Sequence, residues 1–193
     1  MAVASRDGSG LQPLFDALTT REGTTRSVME VDYERYGRGE AMLGWYNARY
    51  EVRMMNERQR GRARKACENT GSPNFDGNEW LLDLAKRVQT ILRVTGTEIA
   101  HFKMSLVPDE GEAMAAVSLV KTAGEPELRR SLPAPLRSGV LTVNLRAEGA
   151  PELLAISVQE ALKNDPAGRM SKRLTEETFR PAQPTPKHRL AVM

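Results

Sequence analysis

Two pairs of side chains in this sequence are spaced to act together on an anion. His101 and Lys103 stand two residues apart, and so do Asn144 and Arg146. On an extended strand that spacing puts both members of a pair on one face. If the two strands lie in one sheet and these faces coincide, the four side chains form a cationic, hydrogen-bonding patch suited to a carboxylate, a nucleotide phosphate or an acidic protein surface. The second candidate is a run of cations. Arg58, Arg60, Arg62, Arg64 and Lys65, with Arg53 before them, make six cations against Glu57 and Glu68 between positions 53 and 75. Such a segment can neutralise phosphates, giving salt-sensitive binding of RNA or another polyanion. Within it no aromatic residue precedes Phe75, so bases are offered nothing to stack on.

Groupings that would do covalent or redox chemistry are missing from the sequence. It contains no Gly-x-x-x-x-Gly-Lys-Ser/Thr loop to cradle a phosphate and no Gly-x-Ser-x-Gly elbow. Cys67, with His101 and His188 far from it in sequence, makes no nucleophile and base. Metal-ligand spacings of the Cys-x-x-Cys and His-x-x-x-His kind are absent. The paired acids Asp109 with Glu110 and Glu176 with Glu177 fall in segments that read as a turn and a tail, where carboxylates are solvated. The expectation is a chain that holds no cofactor or metal and is not an enzyme by itself.

Positioning the candidate patch requires a sheet, and the hydropathy pattern supplies one. Leu81, Leu84, Ala85, Val88, Ile91 and Leu92 recur at helical spacing over 79–94, with Asn78 as the expected N-cap and Gly96 as the stop. Beyond it, Ala100, Phe102, Met104 and Leu106 alternate with His101, Lys103 and Ser105, the period of a half-buried strand. Pro108 to Gly111 is turn chemistry, so a strand over 113–120 should return antiparallel, followed by an edge strand over 127–132 that Pro133 ends. Leu141, Val143 and Leu145 face inward on a strand over 140–146, and Pro151 opens a helix with the stripe Leu154, Val158, Ala161 and Leu162. Earlier, Val28 and Val31 fit one strand and 49–54 another, with a helix or turn over 33–46 between them and Trp45 and Tyr46 read as packing. The fold class expected is α+β: an antiparallel sheet of about four to six strands with two main helices on one face, an open-faced sandwich with a flexible C-terminal tail.

Length and composition agree with one main domain. The chain has 193 residues, 40% of them apolar and 5% aromatic, with a net charge of +3. The organisation expected is an N-terminal helical segment over 1–22, a domain over 26–163 with a basic inserted loop at 55–76, and a polar tail over 164–193. No stretch approaches eighteen apolar residues, the start lacks the pattern of a secretory signal, and one cysteine cannot make an internal disulfide, so no membrane and a cytoplasmic location are expected.

Part of the sequence resembles a known family. Asp32-Tyr33-Glu34-Arg35-Tyr36, then Gly39-Glu40-Ala41, Leu43-Gly44-Trp45-Tyr46-Asn47-Ala48, His101-Phe102-Lys103-Met104 and Val143-Asn144-Leu145-Arg146-Ala147 resemble the C-terminal part of CobW-like GTPases. The opening, with Arg6, Gly8, Gly10 and Leu11 in register, is similar to the last guanine-recognition loop and closing helix of the nucleotide-binding domain in that wider group, although Ala4 and Ser5 stand in reverse order. The resemblance implies an interaction or regulatory domain that binds a protein partner, either a GTPase domain or a metalloenzyme client. GTP and Mg2+ would belong to an N-terminal P-loop domain not contained in these residues, and the family's Cys-x-Cys-Cys metal motif is absent too. On this reading Met1 need not be a true start. The reading from another class is a small RNA- or anion-binding protein that uses Arg58, Arg60, Arg62, Arg64 and Lys65.

Overall fold

Alternation along the three long strands Leu43–Arg53, Ile99–Pro108 and Ser138–Glu148 writes a two-faced sheet. The computed structural model describes residues 3–4, 7–20, 33–54 and 74–182. The chain divides into two units, Met1–Asp32 with Pro186–Met193 and Tyr33–Thr185. In the first, α1 (Leu11–Thr20) follows a turn in which Gly8 and Gly10 have φ of 80° and 73°, values only glycine adopts freely. Ser9, a potential cap by type, instead donates its hydroxyl to Asp7 at 2.6 Å, and no residue of α1 is buried.

The second unit runs α2 (Tyr33–Met42), β1 (Leu43–Arg53), α3 (Gly77–Val94), β2 (Ile99–Pro108), β3 (Ala115–Leu119), β4 (Glu127–Arg130), β5 (Ser138–Glu148), α4 (Pro151–Lys163) and β6 (Met170–Phe179). The six strands form one sheet in the order β4-β3-β2-β5-β1-β6, every neighbour antiparallel. One face is covered by α3 and α4. Leu81, Leu84, Val88 and Leu92 of α3 and Leu154, Val158 and Leu162 of α4 are buried there against Phe102, Met104, Leu141, Val143 and Leu145. The expected α+β open-faced sandwich is the observed architecture. No helix among the described residues is long and apolar enough to cross a membrane.

Several local readings move. The N-cap of α3 is Asp76, whose carboxylate accepts from the amides of Asn78 and Glu79 at 2.8 and 3.1 Å. Asn78 has a longer reach: its amide donates to the Leu132 carbonyl and accepts from the Leu132 amide, fixing the segment after β4 to the start of the helix. Leu132 is buried rather than part of the edge strand, which ends at Arg130. Gly77 opens the helix because a Cβ there would sit 2.6 to 2.9 Å from Leu136, Leu106 and Leu132. At the other end Gly96, with φ of 69°, makes the expected stop. In β2 the register with β5 slips between Ile99 and His101, so Ala100 bulges out exposed and Ile99 takes the buried place.

The largest shift concerns the two ends of the domain. The stretch 33–46, read as a helix or turn, is helical only to Met42, and β1 begins at Leu43 because Tyr46, Ala48, Tyr50 and Val52 alternate into the core. At its start Gly44 lies so close to the turn before α4 that a Cβ would meet the Gly149 carbonyl at 2.6 Å. The segment after 164, read as an extended or disordered tail, supplies the edge strand β6 on the far side of β1. Its route is pinned by Asp165. That carboxylate, 3% exposed, accepts from the Trp80 indole at 2.7 Å and from Arg169 at 2.7 and 3.0 Å, with Arg87 at 3.6 Å. A second tie is Glu176, which takes hydrogen bonds from Arg173, Gln159 and Tyr46 at 2.6, 3.0 and 3.2 Å. Val28, Val31 and positions 55–73 of the basic loop expected at 55–76 lie outside the described residues.

Candidate anion-binding face

Strand adjacency decides which polar side chains meet on the uncovered side of the sheet. The order β2-β5-β1-β6 makes rows across four strands, and two rows contain the candidate residues. In the first, His101 stands opposite Arg146, Arg146 opposite Trp45, and Trp45 opposite Phe179. In the next, Lys103 stands opposite Asn144, Asn144 opposite Asn47, and Asn47 opposite Glu177. His101, Lys103, Asn144 and Arg146 are thus brought together as two directly opposed cross-strand pairs, close enough to act on one ligand.

Each member of the patch has a distinct state. The Arg146 guanidinium lies flat over the Trp45 ring, 3.5 Å from its centroid, and Phe179 closes on the same indole at 5.3 Å. Trp45 is therefore occupied by protein groups and is no free platform for a base, while Tyr46 is fully buried. The stack holds Arg146 in one orientation. Asn144 donates its amide to the Asn47 carbonyl oxygen, which orders both amides in the second row. Lys103 is exposed beside them. Neither Lys103 nor Arg146 makes an ion pair among the described residues, and Arg146 Nε and Trp45 Nε1 are buried donors with no hydrogen-bond partner there. His101 registers the resulting field: partial burial first, then Lys103 and Arg146, hold its imidazole below its ordinary range. At neutral pH it is an uncharged hydrogen-bonding group between two cations.

The arrangement can hold an anion and orient it. The charged neighbours that act on His101 are Lys103 and Arg146, and both favour its neutral form. Among the described residues no cluster of three His, Cys, Asp or Glu side chains could hold a metal. The tyrosine pair on the covered side is unsuited to acid–base work. The Tyr46 and Tyr50 hydroxyls are 2.5 Å apart, and burial, followed by that hydrogen bond, pushes the Tyr46 phenol far above its usual range. The Asn78 and Glu79 amides in the first turn of α3 are taken by Asp76, and the sequence has no P-loop lysine. The other candidates, Arg58, Arg60, Arg62, Arg64 and Lys65, and also Cys67, lie outside the described residues.

Sequence spacing found the two pairs but not the stack. Trp45 and Arg146 meet only because β1 and β5 are neighbours, a pairing across about a hundred residues that no local pattern announces. Compared with known proteins, the chain matches no family model, no curated protein and no solved structure.

Proposed function

We propose that this chain is a non-catalytic interaction domain that binds an acidic segment of a protein partner on its open sheet face, with Lys103 and Arg146 contacting carboxylates and His101 and Asn144 supplying hydrogen bonds. The observation that carries the reading is a pair of cations that make no ion pair among the described residues, on a face whose other side is packed beneath two helices. Arg146 is pre-oriented by Trp45, so a carboxylate meets a guanidinium that has already lost most of its side-chain freedom. The resemblance to the C-terminal part of CobW-like GTP-binding metallochaperones supports the same reading, and it names a GTPase domain or a metalloenzyme client as the kind of partner.

The test uses a glutamate-rich peptide as a stand-in for the partner and a single-stranded RNA of equal charge as competitor. Peptide binding, followed by backbone amide shifts, should map to β2 and β5, and Lys103→Glu with Arg146→Glu should weaken it at least about tenfold. Binding through two cations should weaken with salt far less steeply than binding through five. The reading from the other class, an RNA- or anion-binding arm, rests on the cation density of Arg58, Arg60, Arg62, Arg64 and Lys65 in the sequence. Replacing those five with Gln separates the two: lost peptide binding in that variant, with β2 and β5 amides unmoved in the parent chain, would overturn the open-face reading.

A further inference from the structure

The outer edge of the sheet carries a sequence that is complementary to itself. β6 pairs with β1 along one edge, and among the described residues no strand pairs with the other. Its ten residues are Met-Ser-Lys-Arg-Leu-Thr-Glu-Glu-Thr-Phe, and eight of them are exposed. Laid antiparallel against a second copy about a point between Leu174 and Thr175, the strand sets Lys172 against Glu177, Arg173 against Glu176, and Met170 against Phe179, each twice by symmetry. Opposite charges directly across an antiparallel pair attract, and like charges there repel.

The bulge in β6 is what makes that register possible. Opposed residues in an antiparallel pair must point to the same side of the sheet. In a regular strand Lys172 and Glu177, five positions apart, would point to opposite sides. Here β1 pairs Arg49 with Thr175 and then Tyr50 with Arg173, so Leu174 is an extra residue. Glu51 pairs with Lys172 and Asn47 with Glu177, which puts both of those β6 residues on the open face, while Arg173 and Glu176 both lie on the helix-covered side. Arg173 and Glu176 already form an ion pair at 2.6 Å within one strand, so two copies would assemble four alternating charges around the symmetry axis. Leu174, 45% exposed, and Phe179, 39% exposed, add apolar area to the same edge.

We propose that β6 is a self-pairing edge: two copies of this chain join antiparallel through β6 about Leu174 and Thr175, making one continuous sheet of twelve strands with both open faces on the same side. The surface is the β6 edge of the sheet, of which Lys172 and Glu177 also border the open face, and the proposal does not depend on anion binding by His101, Lys103, Asn144 and Arg146.

Sedimentation velocity of the full chain over a wide concentration range tests it, using single charge reversals at exposed residues away from the Asp165 and Glu176 ties. The parent chain should show a monomer–dimer equilibrium. Lys172→Glu, which sets a carboxylate against Glu177 at two places, should weaken the dimer by about tenfold or more, and Glu177→Lys should do the same. Mixing the two variants should restore association as a heterodimer, and the double reversal in one chain should restore the homodimer. A parent chain that stays monomeric throughout overturns the proposal and assigns these charges to guarding the edge against pairing. A dimer insensitive to the reversals, or one that mixing does not restore, overturns it equally, because association would then use another surface or register.

Discussion

The two faces of the sheet are written by the same strands, one residue apart, and they answer to different physics. Phe102 and Leu145 are sealed beneath α3 and α4, while Lys103 and Arg146 beside them face outward and make no ion pair among the described residues. On the covered side every side chain adds contact and loses water, so identity is set by volume. On the open side packing constrains an exposed side chain such as Lys103 little, so its replacement should leave the sheet intact. Adjacent positions should therefore separate stability from binding.

The sharpest way to break that comparison is Phe102→Ala. It should cost about 3–5 kcal/mol in chemical unfolding, enough to leave a domain of this size marginal. Asp165→Ala comes next. It strands Arg169 and the Trp80 indole in partly buried positions and should cost about 2–4 kcal/mol, with hydrogen exchange rising first in β6, whose path that carboxylate fixes. Tyr46→Phe removes one hydroxyl from the pair with Tyr50 and should cost about 1 kcal/mol. Lys103→Glu, one residue from Phe102, should move stability by less than about 0.5 kcal/mol while it abolishes most of the binding to an acidic peptide. A loss of stability comparable to that of Phe102→Ala would mean that the open face is structural after all.

The smallest effect sharpens the comparison through pH. The His101 titration, followed by imidazole proton shifts, should have its midpoint below 6.5. The fold favours the neutral form, so His101 costs no stability above pH 6.5 and an increasing amount as pH falls from there toward the folded-state value. Lys103→Gln should raise the midpoint, and so should bound acidic peptide, because each makes the charged imidazole less unfavourable. By linkage the peptide should bind more tightly at about pH 5.5 than at about pH 7.5, and that difference should vanish in His101→Gln.

What could be read from the sequence follows from where hydrophobicity has a period. α3, β2, β5 and α4 were legible because each carries a long stripe of apolar residues, and the i,i+2 spacing placed His101 with Lys103 and Asn144 with Arg146 on single faces. β6 was not, because an edge strand whose residues are nearly all exposed needs no apolar alternation, and its bulge breaks what period remains. The glycines around α2 obscured the switch from helix to strand at Leu43, where Gly44 is required by backbone proximity rather than by a turn. The cap of α3 went to Asp76 instead of Asn78, since both residue types suit that place and only tertiary structure shows Asn78 engaged with Leu132. The Arg146–Trp45 stack and the Asp165 clasp depend on residues far apart in sequence, and no window along the chain contains either.

The position of β1 in the sheet bears on how the protein is made. Among the described strands it emerges first, yet both of its partners, β5 and β6, come from the last third of the chain. Strands β3 and β4 can pair as they are synthesised, β3 with β2 and β4 with β3. During that interval β1 has an apolar face of Tyr46, Ala48, Tyr50 and Val52 and two vacant edges, the kind of segment that aggregates or recruits a chaperone. Folding should wait for β5 to dock against β2 and then capture β1 by closing the loop of 84 residues between Arg53 and Ser138, which makes this the slow step. A permuted chain that begins at β2 and delivers β1 after β6 would remove the wait, and it should refold faster while keeping the same sheet.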